Sequence, residues 1–173
     1  MKKPTAAVAS AAFFVVAPGT VVGLIPWLIT HWETTGSAPV WRVAQALGVV
    51  LIVVGLIPPM HAFTQFVMAG GTPMPIAPTQ RLVVTGFNRY VRNPMYVGLF
   101  TAIIGQALLF GSWAVLIYAA LLWATFASFV HWYEEPTLVR DYDGEYETYR
   151  RNVRAWLPRW RPWTPEAQHQ PQR

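Results

Sequence analysis

Arg81–Gly98 reads RLVVTGFNRYVRNPMYVG, with three arginines gathered just ahead of a long apolar run. A second polar cluster, His131–Val153 (HWYEEPTLVRDYDGEYETYRRNV), follows directly on the last such run. Of the 173 residues, 54% are hydrophobic and only 12% charged, against roughly 25% charged in an ordinary soluble domain. Charges so scarce, yet concentrated at the ends of apolar blocks, point to a site at a bilayer surface. The apolar residues lie in runs near the ~20 that cross a hydrocarbon core. The predicted fold class is therefore all-α: a polytopic membrane helical bundle of about four transmembrane helices. It forms a single domain over residues 1–173.

The spans are predicted at about 8–30, 40–68, 94–110 and 112–133. The first carries no charge, and its Pro18, Gly19 and Pro26 are tolerated in a membrane helix. Lys2 and Lys3 before an alanine-rich stretch also fit a signal peptide, although the apolar run continues past signal length. Trp27 and Trp32 are placed at the far interface, as aromatic belts are. In the second span, Pro58 and Pro59 are expected to kink or divide the helix. His61 and Gln65 follow on one face. Gly70–Pro78 (GGTPMPIAP) reads as a loop. Only Gly111 and its neighbours separate the last two spans, which forces an antiparallel hairpin. Pro94 suits the first turn of its helix, where its missing N–H is not needed.

Topology follows from the basic residues. With four spans, Lys2, Lys3, Arg81, Arg89, Arg92, Arg140, Arg150, Arg151, Arg154, Arg159, Arg161 and Arg173 share one side, and only Arg42 falls on the other. The positive-inside rule then puts both termini and both polar clusters at the cytoplasmic face. The net charge of +5 serves topology and anionic headgroups, so membrane lipids are the expected partners and nucleic acid is not. There is no cysteine, which removes disulfides, thiolate metal sites and a Cys nucleophile. The tail 164–173 has no apolar pattern and is expected to be disordered.

In the second cluster, the membrane helix is expected to end or kink near Tyr133, with a surface helix starting at Pro136. Glu134 and Glu135 then sit at a helix N-terminus, where negative charge is favoured. Tyr142, Tyr146 and Tyr149 share a face, and arginines with Trp156 and Trp160 follow, as in a segment lying along a bilayer surface. Each feature also has a plain structural reading. The glutamates serve as a solvated helix start, the tyrosines as interfacial packing, and Arg89 and Arg92 as topology charges or lipid phosphate contacts. His61 reads as a satisfied polar residue.

Taken together, NRYVRNPMYVG, a short helical hairpin, EEPTL and YDGEYETYRRNVRAWLPR resemble one family. It is the isoprenylcysteine carboxyl methyltransferase and phospholipid methyltransferase superfamily of integral membrane enzymes. The resemblance covers about Pro78–Arg159 and centres on an Arg-(His or Asn)-Pro-x-Tyr element, Arg92, Asn93, Pro94 and Tyr96. It implies S-adenosylmethionine bound at the cytoplasmic membrane edge by a region over 78–160, with no metal. Arg92, Asn93, Tyr96, Glu134 and Glu135 are implied to line that pocket, with Arg92 and Glu135 at the reaction. The implied acceptor is lipidic: a prenylated cysteine carboxylate or a phospholipid amine. Two positions depart from the pattern. Asn93 stands where many members carry His, which shifts the pairing of the donor carboxylate towards Arg92. Asp143 stands where Gly is usual, with Gly144 one residue late.

The chemistry agrees. Methyl transfer from a sulfonium needs in-line positioning and water exclusion. An Arg92 fork suits the donor's carboxylate. Glu134 or Glu135 suits its ammonium or ribose hydroxyls. Tyr96 or Trp132 offers a cation–π face, worth about 0.5–2 kcal/mol. A carboxylate acceptor needs no base whereas a protonated amine does, which favours O-methylation, with lipid N-methylation as the alternative. A non-catalytic membrane scaffold is the rival from another class. A small transporter is disfavoured, since no repeat and little midplane charge is visible.

Overall fold

The computed structural model describes residues 16–34, 39–68, 82 and 84–164, and no strand occurs among them. Lys2, Lys3, Arg81, the Gly70–Pro78 loop and the tail beyond Thr164 lie outside the described residues. The helices are α1 (Val16–Thr30), α2 (Pro39–Met68), α3 (Pro94–Phe110), α4 (Trp113–Phe129) and α5 (Glu135–Asn152). A 3₁₀ turn, Gly86–Arg89, precedes α3, and a π-turn, Val130–Glu134, carries α4 into α5. Trp41–Gln65 and Trp113–Asn152 are long and apolar enough to cross a membrane, while Val16–Thr30 and Pro94–Phe110 are shorter apolar helices. Only 17% of each long apolar window is buried inside the protein. Core helices of a soluble protein hide such surface, so these faces suit lipid.

α2 and α3 pack antiparallel at backbone distance. Gly48 meets Gly105, and Gly55 meets Gly98. A Cβ on Gly98 would lie 2.5 Å from the Gly55 carbonyl oxygen and 2.8 Å from the Pro59 ring. Small residues allow this approach where lipid supplies no hydrophobic drive between helices. The same contact explains a departure from expectation. Pro58 and Pro59 neither end nor divide α2, which is one helix over Pro39–Met68. The bare backbone at Gly98 leaves room for the proline rings.

The α3–α4 hairpin forms as expected. Gly111 takes the left-handed conformation (φ 64°) that closes α3. The Ser112 hydroxyl then accepts from the Val115 N–H to start α4. Ile103, Ala107, Val115 and Ala119 form the core between these helices, with Val21, Val22 and Ile29 of α1 against it. α1 contains a π-turn at Gly19–Leu24, where the Ile25 N–H bonds to the Thr20 carbonyl. That frees the Val21 carbonyl, and Pro26 lacks the N–H that would reach Val22. Both acceptors are recovered from outside the helix: Tyr118 donates to Val21 (3.0 Å) and Gln106 to Val22 (2.8 Å). A buried glutamine is thereby satisfied at an apolar level, where an orphaned carbonyl is costly.

Near Tyr133, where an end or kink was expected, lies the turn Val130–Glu134, and an α-helix with Pro136 in its first turn starts at Glu135 without a break in the chain's helical path. α4 runs through the wide turn Val130–Glu134, whose Glu135 N–H bonds back to Val130, and this geometry accommodates a proline at the next position. Glu134 and Glu135 therefore sit within a continuing helix, not at a free N-terminus. The interruption falls at Asp143 (φ 39°, ψ −121°), which splits α5 in two.

Candidate functional site

Two segments distant in sequence are tied together at the start of α3. The chain after α5 runs beside residues 89–93. Arg92 N–H donates to the Arg154 carbonyl (2.9 Å), Asn93 N–H to Ala155 (3.2 Å), Arg159 N–H to Tyr90 (2.9 Å) and Trp163 N–H to Arg89 (2.9 Å). Side chains reinforce the strap. Arg89 donates to the Trp163 carbonyl and the Thr164 hydroxyl. Asn93 is buried, and its amide donates to the Ala155 carbonyl. The Tyr149 hydroxyl donates to Asn88, and Glu145 accepts from the Leu82 N–H. Tyr146, Tyr149 and Val153 form a small core beneath the strap. Arg89 thus has a structural role.

Arg92 lies within this frame. Its guanidinium pairs with Glu135 at 2.9 Å, the two side chains being 12% and 15% exposed. The same nitrogen, Nη1, donates to the Tyr146 hydroxyl at 3.2 Å. The guanidinium carbon stands 6.0 Å from the centre of the Tyr146 ring, the outer limit of cation–π range. The shared face of Tyr146 and Tyr149 favoured interfacial packing over a binding role. Packing is what Tyr149 does, but Tyr146 also touches the arginine.

Glu134 adds a second carboxylate directly after the long apolar run, which stops at Tyr133. Burial, and then the charge of Glu135, push its carboxyl above the ordinary value of 4.5. Burial also raises the Tyr146 hydroxyl; Arg92 works against that shift, while Glu135 and Glu134 add to it. Two polar atoms in the cluster are buried without a hydrogen-bond partner: Arg92 Nε and Glu134 Oε2. One is a donor on a cation and the other an acceptor on a carboxylate. An unmade hydrogen bond of this kind costs about 1–3 kcal/mol, so a molecule bearing both an anionic and a cationic group would be stabilised there.

An aromatic wall continues the site into the apolar region. Tyr96 stacks on Phe126 at 4.8 Å between centroids and leans towards Trp156 at 6.4 Å. Phe100 meets Phe126 and Trp156, and Trp123 meets Trp156. Trp156 arrives on the strap, one residue after the Ala155 carbonyl that Asn93 holds. Trp132, the other aromatic offered by the sequence, is 77% exposed and meets His131 edge-on.

Of the residues singled out from sequence, Arg92 and Glu135 are in contact, and Glu134 acts electrostatically on the same Tyr146. Tyr96 lies in the aromatic wall, and Asn93 anchors the strap. Tyr146, Phe126 and Trp156 were not anticipated as parts of the site. Tyr146 and Trp156 carried only the signal of an aromatic surface segment, which packing explains equally well, and Phe126 carried none.

The phospholipid methyltransferase family model matches residues 43–145 of the chain. Protein-S-isoprenylcysteine O-methyltransferase of Schizosaccharomyces pombe is 36% identical over 78 residues, covering 44% of this chain. The match spans 33% of that relative's length. No solved structure matches.

Proposed function

The chain belongs to the phospholipid methyltransferase family, and we propose that it transfers a methyl group from S-adenosylmethionine to a lipidic acceptor at a membrane surface. The bundle crosses the bilayer four times, with both termini and the site at the cytoplasmic face. The segment after Asp143 lies along that surface. The observation that carries the reading is the Arg92–Glu135 pair with its unpartnered neighbours, Arg92 Nε and Glu134 Oε2. These groups fit the amino-acid end of the donor: an arginine edge for its carboxylate and a glutamate oxygen for its ammonium or a ribose hydroxyl. Tyr96 and the aromatic wall provide a face for a sulfonium, and Asn93 lines the floor. The donor supplies an activated methyl carbon. The protein's part is to hold Arg92 rigid through Glu135 and Tyr146 and to keep water from the reacting atoms.

The acceptor reads best as a carboxylate, which attacks without a base. The name of the fission-yeast relative supports this choice. A second reading, lipid amine methylation, is supported by Glu134, because a carboxylate with a raised pKa serves better as the base such an acceptor needs. Membranes containing the protein, incubated with methyl-labelled donor, separate the two. Label released as methanol by alkali marks an ester, and alkali-stable label in lipid marks an amine. Binding of S-adenosylhomocysteine to the solubilised protein tests the donor site. The wild type binds, and Arg92→Ala and Glu134→Gln weaken binding by roughly tenfold or more, the value of one charge-assisted hydrogen bond. No binding by the wild type refutes the reading.

A further inference from the structure

Between α1, α2 and α3 lies a cavity of about 420 Å³, whose lining is almost wholly carbon. That volume is within the range of small-molecule sites, roughly 300–1,000 Å³. Its walls come from three helices: Gly19 and Gly23 of α1, Pro59, Met60 and Phe63 of α2, and Leu99 of α3. The two glycines open it. They are four residues apart on one face of α1, and a Cβ built on either meets nothing within 4 Å. A larger residue at either position therefore has room beside the cavity wall.

The cavity sits at the same end of the bundle as Arg92. Leu99 is about one helical turn beyond Tyr96 and roughly 8 Å along the axis from the start of α3 at Pro94, at 1.5 Å per residue, and Arg92 stands two residues before that start. Met60 is followed by the exposed His61, whose ring meets Phe87 of the 3₁₀ turn edge-on at 5.2 Å. That turn leads within a few residues to Arg92. An amphiphile with its tail between α1, α2 and α3 would thus carry its polar head towards His61, the 3₁₀ turn and the start of α3.

We propose that this groove holds one hydrocarbon chain of the methyl acceptor. The proposal rests on the methyltransferase reading and adds to it the place where the acceptor is gripped. The apolar lining offers no hydrogen bond, so it selects a chain by length and shape and leaves recognition of the reactive group to the polar cluster.

Gly23→Phe tests it, since the new ring enters open space and glycine is a poorer helix former than phenylalanine. The probe is a fatty acid with a photoreactive diazirine in mid-chain, cross-linked to the purified protein and mapped by mass spectrometry. In the wild type, label falls on Met60, Phe63 or Leu99 and is competed by the unlabelled fatty acid. In Gly23→Phe that labelling drops at least about tenfold, the lower end of what one methylene contact is worth in a fitted apolar pocket. Labelled methyl transfer to membrane lipid drops with it, while S-adenosylhomocysteine affinity is unchanged. The proposal is overturned if Gly23→Phe leaves groove labelling intact, or if label spreads equally over outward residues such as Val53 and Leu121. It is also overturned if labelling is lost while methyl transfer persists, which would make the occupant a structural lipid. A wild type that labels in the groove but binds no S-adenosylhomocysteine sinks the donor reading and the acceptor assignment, and leaves a lipid site only.

Discussion

Replacing Asp143 with glycine is expected to stabilise this protein. Asp143 has φ 39° and ψ −121° inside α5. That is not the left-handed helical region, which aspartate visits with some ease. It is close to the first central position of a type II′ turn, which is glycine's. A non-glycine residue held in so sparse a region costs about 1–3 kcal/mol. Glycine in its place gives back roughly 0.5–1 kcal/mol through greater freedom in the unfolded chain. Asp143 is exposed, and among the described residues its side chain makes no hydrogen bond or ion pair that would be lost. The net gain is about 0.5–2 kcal/mol, or some 1–8 °C in apparent Tm at ~2–4 °C per kcal/mol for a chain of this size. Tryptophan fluorescence melts in detergent read the shift. Asp143→Ala removes the same carboxylate but keeps a Cβ, so it should stay close to the wild type. If Asp143→Gly melts no higher than Asp143→Ala, the backbone is not strained and the account of this turn is wrong.

Three further outcomes are expected. Gly98→Ala should lower stability by about 1–3 kcal/mol, the usual cost of overpacking, because its Cβ meets the Gly55 backbone at 2.5 Å; Gly144→Ala, which meets nothing, is the control in the same melts. Gln106→Leu and Tyr118→Phe should each cost about 1–2 kcal/mol by orphaning the Val22 and Val21 carbonyls; retained Tm in both would show that α1 does not depend on these bonds. S-adenosylhomocysteine affinity should rise with pH through the window above 4.5 in which Glu134 ionises. Its carboxyl is held protonated past the ordinary range, and only the anion pairs with an ammonium. In the free protein the same shift runs the other way for folding: stability is full below 4.5 and declines as Glu134 ionises. Calorimetric titration checks the binding trend, and Glu134→Gln should flatten it.

Local chemistry was legible in the sequence, and non-local chemistry was not. Pro94 at a helix start and Gly111–Ser112 at the hairpin are rules of one or two residues, and the chain obeys them. The family pattern also singled out Arg92 and Glu135, which the fold brings into contact. Proline arguments fared worse. Pro58–Pro59 and Pro136 are breakers in isolation, yet Gly98 across an interface makes room for the first pair, and a π-turn upstream accommodates the second. Asn93 was read as a weaker stand-in for histidine, but its amide also holds the Ala155 carbonyl, a partner 62 residues away. No window of sequence around either residue contains that bond. Asp143 is the intermediate case: its departure from the family pattern was visible, and the strain that follows required φ and ψ.

The strap explains how an arginine just ahead of an apolar helix can be held rigid. An arginine at such a boundary ordinarily snorkels towards water and samples many rotamers. Arg92 is denied this in two ways. Its backbone and that of Asn93 are hydrogen-bonded to residues 154 and 155, so the base of the side chain is fixed. Its head is then held by Glu135 and Tyr146, which lie on either side of the turn at Asp143 along the chain that leads into the strap. The two constraints share one covalent path, Glu135 to Tyr146 to Ala155, so neither can loosen without disturbing the other. Trp156 travels on the same path into the aromatic wall with Tyr96. A displacement of the strap would therefore move the guanidinium, the carboxylate and the aromatic face together. Ordering costs side-chain entropy, and a protein that needed only a topological charge would have no reason to bear it. Charge placement alone does not require Arg92 to be pinned at both ends with its buried Nε left unpartnered, and that surplus of order is what the proposed recognition of a small charged molecule would use.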